Sequence, residues 1–139
     1  KFGREVARIE SDNFIEWTRD EVVLHGTSKD LQTYSMPIFY YKQVYLGLIT
    51  IYQQITYIVW TELTWSHDTR NWYRIDEVTP LIPNSEKELA YDYGCVYACA
   101  SPVFVDDKIM LYYGGSDLLH LCCRNLFLCL ATIRPVGFA

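Results

Sequence analysis

Concentrated positive charge, long apolar runs and paired cysteine spacings are all missing from this chain, and each shortage removes a class of protein. Lys and Arg total 12 against 17 Asp and Glu, for a formal charge of −5, and the basic residues are scattered singly. A nucleic-acid surface needs clustered Lys and Arg to neutralise phosphates, so no nucleic-acid partner is expected. The longest apolar stretch, Val44 to Ile51, has the length of a strand. A membrane helix needs roughly 18 apolar residues, so no membrane partner is expected either. The five cysteines, Cys95, Cys99, Cys122, Cys123 and Cys129, contain no CxxC pair. A zinc or redox centre therefore has no spacing behind it, and no metal or cofactor is implied. The cysteines read as structural, reduced thiols, with Cys95 and Cys99 as small buried residues on one face of a strand. Unpaired thiols favour a reducing, cytoplasmic compartment. The first residue is Lys1 and no charged-then-apolar leader follows it, so the sequence reads as an excised, processed or incompletely represented piece.

What is present is apolar and aromatic. The 139 residues are 50% hydrophobic and 16% aromatic, with 12 Tyr and 4 Trp. That is enough for one domain-sized core and too apolar for disorder. Two motifs recur. Ser11-Asp12-Asn13-Phe14-Ile15-Glu16-Trp17 returns 55 residues later as Ser66-His67-Asp68-Thr69-Arg70-Asn71-Trp72. Pro37-Ile38-Phe39 with Val44-Tyr45-Leu46 returns 65 residues later as Pro102-Val103-Phe104 with Ile109-Met110-Leu111. Interleaved motifs at such a period indicate a repeated β unit.

Strand signals run throughout: Val6 to Glu10, Thr18 to Leu24, Met36 to Tyr41, Val44 to Tyr52, Tyr57 to Trp65 and Trp72 to Ile75. After a polar loop from Thr79 to Glu88 come Val96 to Val105, Lys108 to Tyr113 and Phe127 to Ile133. Gly114-Gly115-Ser116-Asp117 reads as a break, and no convincing amphipathic helix is present. In Val44 to Ile51 both alternating sets are apolar, so both sheet faces should be buried. Sheets stacked radially in a β-propeller meet that condition.

The expected fold is all-β, with propeller blades of four-stranded antiparallel sheets. Residues 1–27 would end one blade, 28–78 would form a complete one and 89–139 most of another, about two and a half blades in total. Closure takes about four blades or more. Missing blades, or a second copy, would have to complete the ring. Ser and Asp in the Ser…Trp motif can accept backbone N–H bonds in a tight turn, which makes that motif a hairpin staple. Inner strands line a propeller's channel, so a site is expected near residues 30–35 and 91–95.

These residues resemble the five-bladed β-propeller glycoside hydrolases, the group of families 32, 43 and 68. The blade grammar is carried by the Ser-x-Asp…Trp turns and the Pro-x-Phe…Tyr-Tyr hairpins. Glu62 to Asp68, Tyr91 to Pro102 and Leu111 to Gly115 are similar to uncharacterised bacterial family 32-like propellers. The ending Ala131 to Phe138 is similar to an Arg-x-Asp-Gly-Phe signature, with Val136 in place of Asp. The resemblance implies binding or cleavage of a glycosidic linkage at the channel through paired carboxylates. The sequence departs from that pattern in having no Arg-Asp-Pro motif, and in placing Ser35 and Ala100 where an acid would precede Pro37 and Pro102. A non-catalytic carbohydrate-binding or scaffold propeller is the alternative.

Three carboxylates are candidate catalytic groups. Glu62 stands in an otherwise apolar strand, so it must face a channel, pair with an Arg, or take a raised pKa suited to acid catalysis. Asp92 lies between two tyrosines at the mouth of an inner strand, and Asp30 precedes another. His120 is placed to hydrogen-bond a sugar hydroxyl, and Tyr34, Tyr91 and Trp60 could offer ring faces to a sugar.

Overall fold

The computed structural model describes residues 3–121 and 123–134, which are all-β with no helix among them. β1 (Glu5–Arg8) and β2 (Glu21–His25) form an antiparallel two-stranded sheet. β3 (Leu31–Ser35) and β4 (Ile38–Tyr41) share one edge of β5 (Val44–Gln53). On the other edge lies β6 (Val59–Ser66), with the short β7 (Tyr73–Arg74) outside it. The pattern then recurs: β8 (Cys95–Ala98) and β9 (Val103–Val105) share one edge of β10 (Lys108–Ser116), with β11 (Leu126–Ile133) on the other. A single parallel pair, Val59 with Cys95, joins these groups into one nine-stranded sheet. The result is a partial propeller-like all-β fold.

Local sequence explains the central hairpin. β-branched and aromatic residues fill β5, which suits a pleated, packed surface. Lys42 and Gln43 both take positive φ, 44° and 70°, in the two-residue turn between β4 and β5. That geometry matches the right-handed twist of the flanking strands and keeps them in register.

The expected burial of both faces of β5 is observed. Leu48 joins a cluster with Ile82, Val96, Ile109, Leu111, Tyr113 and Cys129 on one side of the β5–β6 pair. Ile49, Ile51 and Trp60 form a second cluster on the other side, against Leu24 and Leu31. Each fully buried Leu or Ile contributes about 1.5–3 kcal/mol, so these seams dominate the stability. Ion pairs from Arg70 to Glu10 and Glu21, with the Arg8 Nε–H donated to the Thr69 hydroxyl, also tie the β1–β2 sheet to the second Ser…Trp turn. Exposed pairs contribute about 0–1 kcal/mol each, so Leu24 in the second cluster does more to hold that sheet.

Four expectations change. Residues 31–35 form a strand of their own, hidden in the sequence because its polar residues alternate irregularly. Val96 to Val105 is two strands, interrupted from Cys99 to Pro102. β10 runs straight through Gly114 and Gly115 where a break was expected. A side chain at Gly115 would meet the Tyr91 carbonyl, Cys129 and Asp92, so glycine there admits the chain that carries Asp92. Finally, Cys95 is buried but Cys99 lies beyond the end of β8 and is exposed, so the two do not share a buried strand face. Cys95, Cys99, Cys123 and Cys129 form no disulfide, whereas Cys122 and the Pro135 to Phe138 part of the ending motif lie outside the described residues.

Candidate functional site

The sheet register brings four rings together. Tyr34 on β3 lies 6.3 Å from Tyr52 on β5 and 6.0 Å from Tyr97 on β8, centroid to centroid. His120, in the segment after β10, meets Tyr34 edge-on at 5.0 Å and Tyr52 at 5.2 Å. Strands from both antiparallel groups therefore contribute to one aromatic cluster. Arg4 caps it, with its guanidinium carbon 4.9 Å from the Tyr34 centroid and 5.7 Å from that of Tyr52. Beside it opens a cavity of about 400 Å³ lined by Arg4, Glu5, Val6, Thr33, Tyr34, Ser35 and Met36.

His120 is held from two directions. Its backbone N–H donates to the Tyr57 carbonyl at 2.7 Å, and Tyr57 itself sits at a φ of 60°. Its Nδ1 is 2.6 Å from the Tyr97 hydroxyl. Burial, with Cys95 next, pushes the Tyr97 phenol well above its ordinary range, so it keeps its proton. Burial first, then Arg124 and Arg4, lower the proton affinity of His120. Tyr97 Oη and His120 Nδ1 share this hydrogen bond, which commits Nδ1 and leaves Nε2 as the second polar atom of the ring. No protein partner for Nε2 occurs among the described residues, which leaves that nitrogen to a ligand. Gly94 lets this loop approach, because a side chain there would collide with the Leu118 carbonyl.

Glu62 is differently placed. It is 1% exposed and carries three bonds: Trp60 Nε1 donates at 2.7 Å, Arg74 Nη1 at 2.8 Å and the Val78 N–H at 3.1 Å. Of the roles open to it in the sequence, the pairing with Arg is the one observed, and Arg74 is itself 6% exposed at its side chain. Trp60 is 6% exposed with its N–H committed to that carboxylate. Asp92 is 6% exposed and accepts the Tyr113 hydroxyl at 2.9 Å. Burial, then Asp92, raises the Tyr113 phenol well above its ordinary range, so this O–H is the donor. Glu62 shares a β6 face with Trp60 of the second cluster, whereas Tyr113 belongs to the first, so the two carboxylates attach to opposite sides of the β5–β6 pair. Asp30 is exposed, and its carbonyl accepts the Gln54 N–H. Tyr91 is 52% exposed.

Tyr34 and His120 are thus brought together, while Asp30, Glu62 and Asp92 stand in separate environments. The sequence reading missed Tyr52, Tyr97 and Arg4. Tyr52 ends a strand that otherwise reads as core, and its only signal was its alignment opposite Gln32 in the β3–β5 ladder.

A larger hollow of about 460 Å³ lies between β2 and β7, lined by Leu24, His25, Gly26, Thr27, Trp72, Tyr73, Arg74 and Glu77. The cation at its wall, Arg74, is already neutralised by Glu62.

Known structures share this fold. A solved protein described as "Glycoside hydrolase" superimposes with a TM-score of 0.69 and 18% identity, over 93% of this chain and 35% of that one. A second, described as a complex of BT0996 and RGII, gives the same values. The chain spans about a third of the length of these structures, and at 18% identity the likeness establishes fold alone. No protein-family model matches the chain, and no curated protein matches it.

Proposed function

We propose that this chain is part of a five-bladed carbohydrate-active propeller and that it holds a sugar against the Tyr34, Tyr52 and His120 cluster. In this reading residues 1–27, 28–78 and 89–139 belong to three successive blades. The observation that carries it is the cluster itself. Two tyrosines without side-chain hydrogen-bond partners among the described residues flank an imidazole whose Nε2 has no partner there, beside an open cavity. Ring faces cover the apolar faces of a sugar while a few placed donors fix its hydroxyls. Leu126, Leu128 and Leu130 on β11, and Phe14, Ile15 and Trp17 at the opposite end, are exposed apolar groups. Their exposure supports coverage by further blades or a second copy.

The test is glycan binding to the protein and to its Tyr34→Ala and His120→Ala variants. Binding that weakens at least tenfold in both is expected; unchanged affinity in both would discard the assignment.

A second reading is hydrolysis of a glycosidic bond, favoured by the buried Asp92 carboxylate with its Tyr113 donor and by the glycoside hydrolase likeness of the fold. Turnover of aryl glycosides and fructans, compared with Asp92→Asn and Glu62→Gln, tests it. Loss of turnover with retained binding in Asp92→Asn supports hydrolysis, and full activity in both variants removes these carboxylates from the chemistry.

A further inference from the structure

We propose that the ligand of the Tyr34–Tyr52–His120 site is an acidic sugar, a uronate, whose carboxylate is received by Arg4. This rests on the sugar-binding reading and names its substrate class.

Arg4 differs from the three arginines that are ion-paired in the fold. Arg8, Arg70 and Arg74 each have a carboxylate within ion-pairing distance. Arg4 has none among the described residues, although Glu5 lines the same cavity. It stays at the site through the ring faces of Tyr34 and Tyr52, which hold a cation without neutralising it. In a chain of net charge −5, an unneutralised guanidinium over an aromatic platform is a directed feature. Its closeness to both rings keeps the guanidinium at the cavity, where its fork can meet a carboxylate through two parallel bonds.

Two independent observations point the same way. The His120 ring and the hydroxyls of Tyr34 and Tyr52 stand beside Arg4 as hydrogen-bonding groups for the rest of a sugar. Arg124 adds positive potential, since it and Arg4 are the two charged groups that depress protonation of His120, and no carboxylate counters them there. The Nε of Arg124 is moreover buried without a hydrogen-bond partner. Arg4 and Arg124 give the site a positive potential that suits an anion, with Glu5 the one acidic residue among the lining of the cavity. Neutral His120 then complements the sugar hydroxyls while Arg4 takes the charge. No proton moves and no bond breaks in this recognition step.

The experiment uses three probes of nearly equal size: methyl α-galacturonoside, its methyl ester and methyl α-galactoside. Binding is followed on the ring signals of the tyrosines and His120 by NMR, with the intact protein. The acid should bind at least tenfold more tightly than the ester, a difference of about 1.4 kcal/mol, and its affinity should fall as salt rises. Arg4→Gln should abolish that preference, and Arg4→Lys should restore part of it because charge returns without the fork. Thermal melting of both variants should match the parent, since Arg4 is exposed. Equal binding of acid and ester, or a preference that survives Arg4→Gln, overturns the uronate assignment while leaving sugar binding intact. Failure of all three glycosides to bind removes both readings.

Discussion

Asn13 and Asp68 occupy the same place in two copies of one turn. The Asn13 Oδ1 accepts the N–H groups of Ile15 and Glu16, both at 2.9 Å. The Asp68 Oδ1 accepts those of Arg70 and Asn71, at 2.9 and 2.8 Å. In both copies the serine two residues earlier accepts two further backbone donors. The residue after the acceptor is left-handed in each, Phe14 at a φ of 60° and Thr69 at 63°. An amide and a carboxylate thus build one turn, differing in charge.

That difference predicts a pH response. Backbone bonds from Asn71 and then Arg70 hold the Asp68 carboxyl far below the usual range. A depressed folded value contributes stability above the unfolded value of about 3.9, and loses it as pH falls towards the folded value. Asp68→Asn should keep the turn, as Asn13 does, but flatten this acid-side loss. Urea midpoints at pH 7 and pH 3 should lie closer together in the variant than in the parent, and parallel losses would contradict the assignment.

Glu62 and Arg74 predict a stability defect distinct from any loss of chemistry. Removing one member of a buried ion pair leaves the other uncompensated, at a cost of about 3–5 kcal/mol. Glu62→Gln and Arg74→Met should each lower the denaturation midpoint by an amount of this order. The double variant should recover part of it, and strictly additive losses in a double-mutant cycle would disprove the coupling.

Val78 is β-branched, 53% exposed and held at a φ of 66°. Its N–H reaches Glu62 from that strained position. Val78→Gly keeps the donor and removes the Cβ conflict, so stability should rise by about 1 kcal/mol. A lower melting temperature would show that the side chain contributes packing that outweighs the strain.

Gly94 predicts a functional effect at a distance. In Gly94→Ala the new methyl displaces the Leu118 carbonyl, two residues before His120. Crowding of this kind costs about 1–3 kcal/mol, and ligand affinity should drop with it. Undisturbed His120 ring signals in the variant would refute the link.

Much of the frame was legible in the sequence. The paired motifs announced the turn, because a serine and an Asx at fixed offsets suffice to saturate its donors. The two-sided greasiness of β5 announced its burial between packed faces. β3 was not legible, since Thr33 is buried while Tyr34 and Ser35 face outward, so no clean alternation survives. The aromatic cluster was half legible. Tyr34 and His120 stood out beside a strand start and a glycine break, but Arg4, Tyr52 and Tyr97 meet them only through sheet register and the β6–β8 join. For Glu62 the sequence posed the right problem, a carboxylate among apolar neighbours. Its answer lay 12 residues away in Arg74, across a pairing that only the folded ladder reveals.

The join between β6 and β8 has a mechanical consequence. Its ladder is a single rung, Val59 with Cys95. Side chains supplement that rung: the Thr61 hydroxyl donates to the Val96 carbonyl, and the Asn84 amide bridges the carbonyls of Val59, Asp92 and Tyr93. So short a ladder makes this a natural breathing line, whose tilt is governed by interdigitating side chains more than by backbone. Since Tyr97 belongs to one flank and Tyr34 with Tyr52 to the other, anything lodged among those rings acts as a clasp across that line. Amide exchange at Val59, whose N–H donates to the Gly94 carbonyl across the join, would then slow whenever the clasp is closed.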